Sequence, residues 1–105
     1  MNNYILDETG NPKIEPDLLK FAKWFEKADR HIGFTTIKKT QISTVFLGTD
    51  HNFCGCGKPI LWETMIFEGK LDGYQKRYSS KEKAIEGHKQ AVEKVKNLQG
   101  GERCI

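Results

Sequence analysis

The stretch of residues 41–48 constrains the fold of this chain most strongly. It is rich in β-branched side chains, and its residues 45–47 are apolar in succession. Such a run is typical of a strand at the centre of a sheet, covered on both faces. A central strand needs neighbours, and residues 34–38 and 60–67 have the composition of strands. We therefore predict a β-sheet built around residues 41–48.

A helix is predicted before this sheet. Pro16 at the first helical position and Asp17 in the first turn favour a helix start, and the pattern continues to about Arg30. Apolar residues recur at the helical spacing of three and four, which predicts an inward-facing stripe. The stripe consists of Leu18, Phe21, Ala22, Phe25 and Ala28. Gly33 is expected to end this unit.

A second helix is predicted after the sheet. Ser79 and Glu82 have the spacing of a capping box, and the helix is expected to end near Leu98, before Gly100 and Gly101. Its mixed lysines and glutamates indicate a solvated face, or a docking surface for an acidic or phosphate-bearing partner. The residues expected to share its inner face are Ile85, His88, Val92 and Val95.

Short strands are also predicted at residues 4–6 and 74–78, the second at a sheet edge because Lys76 and Arg77 are charged. The order of elements predicts an α+β fold, with a small antiparallel sheet of three to five strands and two helices packed on one face. The length of 105 residues fits a single domain, residues 1–105.

Charge and hydropathy exclude several functional classes. The 17 basic and 14 acidic residues give a formal net charge of +3, which excludes a strongly acidic DNA mimic. The basic residues are spread along the chain, so specific nucleic-acid binding is not expected either. No apolar run is long enough to span a membrane, and the N-terminus has no secretory signal pattern. The chain is therefore expected in the cytoplasm, without a membrane partner.

The polar loop that follows the central strand carries the residues with metal-binding chemistry. His51, Cys54 and Cys56 lie within six residues, and neutral imidazole and thiolate are ligands of tetrahedral Zn²⁺. Gly55 and Gly57 allow positive φ angles, so that both sulfurs can turn toward one ion. A Cys54–Cys56 disulfide would close a very small, strained ring. These residues predict a structural zinc site, and the alternative is a Gly-rich turn with free thiols.

The zinc site needs a fourth ligand, and the sequence leaves several candidates. Asp50 is the nearest, through a carboxylate oxygen. Cys104 is a soft alternative if the C-terminal tail folds back, and His31 and Glu63 are more distant options. The predicted metal ligands are Asp50, His51, Cys54 and Cys56.

An enzymatic alternative would use Asp50, His51 and Glu63 in a metal-dependent hydrolase or nuclease. Against it, the sequence has no second carboxylate cluster, and Ser43 and Thr44 do not lie in a G-x-S-x-G turn. We therefore do not expect this protein to be an enzyme.

One resemblance covers most of the chain, from about Tyr4 to Val95. The long run S-T-V-F-L-G-T-D-H-N-F at residues 43–53, together with E-T-M-I-F at residues 63–67, resembles a widespread family of small phage and prophage proteins. Many members of that family have glycines at the positions of Cys54 and Cys56, so the resemblance suggests that this chain acquired its metal site separately.

The resemblance implies a role in countering host defence. A zinc-containing member would fit among anti-CRISPR inhibitors of the type II RNA-guided nuclease. Since a chain of charge +3 is no DNA mimic, such an inhibitor would bind a protein surface of the nuclease stoichiometrically, as a monomer or weak dimer, and impede nucleic-acid loading. The alternative to an inhibitor, which fits the same phage setting, is a phage accessory protein that binds another phage component.

Overall fold

A computed structural model describes residues 2–54 and 57–104, with side chains up to residue 98. Strands β3 to β6 form one antiparallel sheet in chain order, while β1 and β2 pair as a separate two-stranded sheet. The predicted α+β class is confirmed. The elements are β1 (Tyr4–Leu6), β2 (Pro12–Ile14), α1 (Leu18–Lys27), β3 (His31–Ile37), β4 (Thr40–Phe46), β5 (Trp62–Phe67), β6 (Gln75–Tyr78) and α2 (Lys81–Cys104).

Strand β4 lies between β3 and β5, as its composition predicts, but it is covered on one face only. Ile42, Thr44 and Phe46 are fully buried beneath α2, whereas Gln41 is exposed and Val45 is half-buried. The expectation of a strand covered on both faces is therefore wrong. The physical reason is that α2 packs against all four strands from the same side.

Strand β3 begins at His31, three residues before the predicted start, and Gly33 lies inside it rather than ending the preceding unit. The pairing with β4 shifts between His31 and Gly33, which marks a bulge. A Cβ at Gly33 would come within 2.9 Å of Cδ2 of His88. Glycine is needed at this position because the imidazole of His88 on α2 packs directly on the backbone of β3.

Helix α1 is shorter than predicted and begins after Asp17, which is its N-cap. One carboxylate oxygen of Asp17 accepts hydrogen bonds from the backbone N–H of Leu19 at 3.0 Å and of Lys20 at 3.2 Å. The predicted stripe is wrong at Leu18, which is 69% exposed, and at Ala22, which is also exposed. The helix lies beside the end of the sheet and turns only its second half inward.

The contacts of α1 come from aromatic side chains. Trp24 packs edge-to-face on Phe46 with ring centroids 5.9 Å apart. Phe21 and Phe25 lie against Gly48, where a Cβ would come within 3.1 Å of Phe25. These rings attach α1 to the same sheet face that α2 covers.

Helix α2 differs from its prediction at both ends. Ser80, not Ser79, caps it, since the Ser80 hydroxyl accepts a hydrogen bond from the backbone N–H of Lys83 at 3.1 Å. The helix continues through Gly100 and Gly101 to Cys104. Glycine lowers helix propensity by about 1 kcal/mol but leaves the backbone hydrogen bonds available, so it does not by itself end a helix.

Small residues bring α2 close to the sheet. Ala84 and Ala91 are fully buried, and Gly87 lies so near Tyr78 that any Cβ would overlap its phenol ring. Ile85, expected on the inner face, is instead 39% exposed. The core forms two clusters of buried residues: Phe46, Leu61, Trp62, Tyr78 and Ala84, and then Ile42, Ile66, Ala91 and Val95.

A chain of polar side chains runs between α2 and the sheet. The two ring nitrogens of His88 lie 2.9 Å from the hydroxyl of Thr35 and 2.8 Å from that of Thr44. The Thr44 hydroxyl contacts that of Thr64, which accepts a hydrogen bond from Tyr78 at 3.1 Å. Thr44 and Thr64 are fully buried. The predicted packing role of His88 is thus confirmed, with its nitrogens paired.

The stability of the protein should fall as pH drops below about 6.5, because burial lowers the pKa of His88 from its usual 6.5. Below this pH the imidazole of the unfolded chain binds a proton, whereas the buried imidazole of the folded chain stays neutral. The stabilisation from neutral His88 is therefore complete above the pKa of the unfolded chain and is lost as pH falls through the lower pKa of the folded chain. Urea unfolding at pH 7.5 and 5.5 measures the loss. It should be smaller in His88→Gln, whereas equal losses in His88→Gln and the control His31→Gln would contradict this account.

Candidate functional site

The loop between β4 and β5 carries the predicted site, and backbone hydrogen bonds close its base. The N–H of Leu47 donates to the carbonyl of Leu61 at 2.6 Å, and the N–H of His51 donates to the carbonyl of Ile60 at 2.9 Å. The loop is therefore an ordered extension of the β4–β5 pair at these positions. Its described part comprises residues 47–54 and 57–61.

Asp50 organises this loop. One oxygen of its carboxylate accepts hydrogen bonds from the backbone N–H of Asn52 at 2.8 Å and of Ile60 at 2.9 Å, so it bridges the two sides of the loop. The sequence predicts Asp50 as a metal ligand, whereas the structure shows it as a hydrogen-bond acceptor within the loop. The signal was available, because Asp often accepts from the backbone two residues ahead.

His51 has the orientation of a metal-binding histidine. Its Nδ1 lies 2.7 Å from the carbonyl oxygen of Thr49, which can only accept a hydrogen bond. Nδ1 therefore carries the proton, and the neutral ring keeps its lone pair on Nε2. Histidines that bind metals commonly hold their other nitrogen in this way. The ring of Phe53, which is 69% exposed, lies 5.8 Å from the His51 ring.

Cys54 is disulfide-bonded in the structure, and its sulfur lies 3.0 Å from the side-chain oxygen of Asn52. A disulfide sulfur is no thiolate, so zinc binding by Cys54 requires the reduced chain. Gly57 has φ +79°, as the sequence predicts. The predicted ligand Cys56 and the neighbouring Gly55 lie outside the described residues.

Two of the other candidate ligands have partners of their own on the sheet. The carboxylate of Glu63 is 8% exposed and accepts hydrogen bonds from Arg77 at 2.9 Å and from Gln75. His31 lies 3.4 Å from the carboxylate of Asp29. Neither interaction brings the side chain to the loop.

Cys104 is placed far from the loop by the length of α2. Asn52 of the loop and Gly87 of α2 line the same cleft. At about 1.5 Å per residue, a helix carries its backbone roughly 25 Å between positions 87 and 104. The tail does not fold back, because it continues the helix to Cys104. Cys104 as the fourth ligand stays a prediction, and it would require the C-terminal part of α2 to turn back.

The described residues do not test the complete zinc set. Within the side chains that the structure describes, residues 2–54 and 57–98, no three His, Cys, Asp or Glu residues form a group that could hold a metal ion. Because Cys56 lies outside this part of the chain, the site formed by Asp50, His51, Cys54 and Cys56 stays a prediction.

A second candidate surface, not predicted from the sequence, is the sheet face opposite α2. The strand register aligns His31, Val45, Glu63 and Arg77 in one row across the four strands. We call this side of the four-stranded sheet the open sheet face. Its apolar residues lie in this row and in the rows beside it. Its apolar members are Phe34 at 55% exposure, Phe67 at 41%, and the half-buried Val45 and Met65.

The open sheet face is unusual because a solvated sheet face normally carries polar residues. In the described part of the chain, both helices pack elsewhere. Phenylalanine and methionine are common at the centre of protein interfaces. Charged pairs such as Glu63–Arg77 are common at the rim. The open sheet face can therefore bind a protein surface.

No helix in the described ranges is long and apolar enough to cross a bilayer. Comparisons of the chain with models of protein families, with curated proteins and with solved structures find no match. The resemblance to small phage proteins therefore stays a prediction.

Replacing Asp50 by alanine should lower the free energy of unfolding by about 1–3 kcal/mol, because two backbone N–H groups lose their acceptor. Asp50→Asn keeps a carbonyl oxygen and should lose clearly less stability. Urea unfolding of both variants, after zinc removal with a chelator, measures the difference. Unfolding of Asp50→Ala at the wild-type midpoint would refute the bridging role of this carboxylate.

Proposed function

We propose that the protein is a non-catalytic inhibitor that binds the type II RNA-guided nuclease stoichiometrically and impedes its nucleic-acid loading. The proposal combines two supports. The resemblance of residues 43–53 and 63–67 supplies the phage setting and the nuclease as partner. The open sheet face supplies a surface suited to protein binding. We place this action in the host cytoplasm, where the nuclease operates.

The observation that carries the proposal is the exposure of Phe34 and Phe67 on the open sheet face. Their burial in a complex would gain hydrophobic free energy that folding leaves unused. The surrounding side chains of Gln41, Ser43 and Gln75 are polar, and they can form the hydrogen-bonded rim of an interface. Exposed phenylalanines surrounded by polar side chains are typical of a protein that folds alone and then binds a partner.

The chemistry of the open sheet face favours a protein over DNA or RNA as the partner. Its cation Arg77, on the edge strand β6, is paired with Glu63 at 2.9 Å, and the described strand positions on this face hold no lysine and no second arginine. Binding to phosphates would need a row of free lysines or arginines. The inhibitor is therefore expected to contact the nuclease itself.

The hydrolase alternative receives less support. It requires Asp50, His51 and Glu63 to share a substrate, yet one oxygen of Asp50 is hydrogen-bonded to the loop backbone and Glu63 is buried against Arg77. A phage accessory protein could use the same open sheet face, so its partner is what distinguishes it. A pull-down from infected cells identifies that partner.

Cleavage by the type II nuclease should fall in proportion to added protein and reach its minimum at one equivalent. The nuclease is preincubated with the purified chain, and guide and target are added afterwards. Preincubation with guide and target should protect the nuclease, because loading is the step that is impeded. Inhibition at substoichiometric amounts, or cleavage that persists at several equivalents, would contradict the proposal.

Alanine variants locate the interface within the same assay. Phe34→Ala and Phe67→Ala should each weaken nuclease binding at least about tenfold, as expected for interface anchors. The matched control is Leu19→Ala, which truncates a side chain that is 64% exposed on α1. Leu19→Ala should bind like the wild type. A larger loss in this control than in the phenylalanine variants would place the interface elsewhere.

We also propose that the reduced chain holds a structural zinc ion through His51, Cys54 and Cys56, with Asp50 as the nearest fourth ligand. Elemental analysis of protein purified under reducing conditions should find about one zinc per chain. Cys54→Ser should lose the metal and melt at a lower temperature, whereas Cys104→Ser should keep it. Reduced protein without zinc would end this proposal and leave the inhibitor proposal standing.

A further inference from the structure

A cleft of about 540 Å³ lies between β6, the edge strand of the sheet, and the first half of α2. The loop between β4 and β5 borders it through Asn52 and Lys58. The inhibitor proposal does not use this cleft. Its volume lies in the range of small-molecule sites, about 300–1,000 Å³.

Cations from three separate elements converge on the cleft. Lys58 comes from the loop, Lys76 from β6 and Lys83 from α2. Among the described residues, none of these three lysines forms an ion pair. Arg77 also lines the cleft, but Glu63 already holds its side chain at 2.9 Å. Three lysines that form no ion pair in the described part of the chain therefore line the cleft.

Among the described residues, Glu86 is the single carboxylate that lines the cleft. Against the three lysines it leaves a formal charge of +2, since Arg77 is neutralised by Glu63. This is two thirds of the formal net charge of +3 of the whole chain. The start of α2 adds the partial positive charge of a helix N-terminus, since Ser79 and Lys83 belong to the same wall.

A smaller recess of about 310 Å³ shares Lys58 and Ser79 with the cleft. Trp62 lines it, and the indole N–H of Trp62 is buried without a hydrogen-bond partner among the described residues. A buried donor without a partner is costly to the folded state. The recess offers room for the organic part of a ligand whose charged part lies in the cleft.

We propose that the cleft binds the phosphate chain of a small polyphosphorylated molecule. Several negative charges are needed to match lysines from three elements, and a phosphate chain presents them within a compact length. A nucleic acid is less suited, because it needs a longer track of positive charge than the three lysines of the cleft provide.

Calorimetric titration of the full chain with sodium tripolyphosphate at physiological salt tests the proposal. Saturable binding of one molecule per chain is expected. Lys76→Gln and Lys83→Gln should each weaken it about tenfold, as for the loss of a charged hydrogen bond. Glu86→Gln should tighten it, because the only opposing charge is removed. Lys89→Gln, on α2 but outside the cleft lining, is the matched control and should bind unchanged.

A parallel titration with ATP identifies the source of the phosphates. Tighter binding of ATP than of tripolyphosphate would show that the recess holds the organic part of the ligand. Equal affinity would show that the protein recognises the phosphate chain alone. Three results would overturn the proposal. They are the absence of tripolyphosphate binding, an equal loss in Lys89→Gln, and tighter binding of a single-stranded oligonucleotide that Lys76→Gln leaves unchanged.

Discussion

The close packing of α2 on one face of the four-stranded sheet is the contact on which the rest of the structure depends. It is possible because the helix presents Ala84, Gly87 and Ala91 to the sheet, so that the backbones approach closely. Polar groups at the contact pair with one another through His88, and their desolvation is thereby compensated. Since both helices lie on this side, the opposite face is left to solvent. The cleft beside β6 exists for the same reason, because the helix forms its second wall.

The sequence predicts the elements better than their contacts. Helical spacing identifies both helices, and β-branched composition identifies β4 as the central strand, because these patterns depend on neighbouring residues. The helix caps and the role of Gly33 depend on tertiary contacts and were misplaced. Gly33 looks like a terminator in the sequence, yet it lies inside β3 because His88, 55 positions later, needs its space. Gly100 likewise looks like a stop, although the helix continues through it.

The candidate sites differ in how far the sequence reveals them. The composition of the loop between β4 and β5 identifies it as a candidate site. Asp50, however, accepts hydrogen bonds from two backbone N–H groups of the loop. The zinc site that includes Cys56 remains a prediction. The open sheet face could not be predicted, because alternation along a strand indicates two faces without indicating which one is covered. The cleft was equally hidden, since Lys58, Lys76 and Lys83 are distant in sequence and meet only after the sheet and α2 have packed.

Hydroxyl-radical footprinting tests the one-sided sheet and its proposed use most directly. In the free monomer, Phe34, Met65 and Phe67 should be oxidised readily while Trp62 and Tyr78 are protected, in line with their burial. In an equimolar complex with the nuclease, the first three should become protected and the last two should stay unchanged. Protection of Phe34 and Phe67 in the free monomer would contradict the open face, and their unchanged oxidation in a stoichiometric complex would contradict its role as the interface.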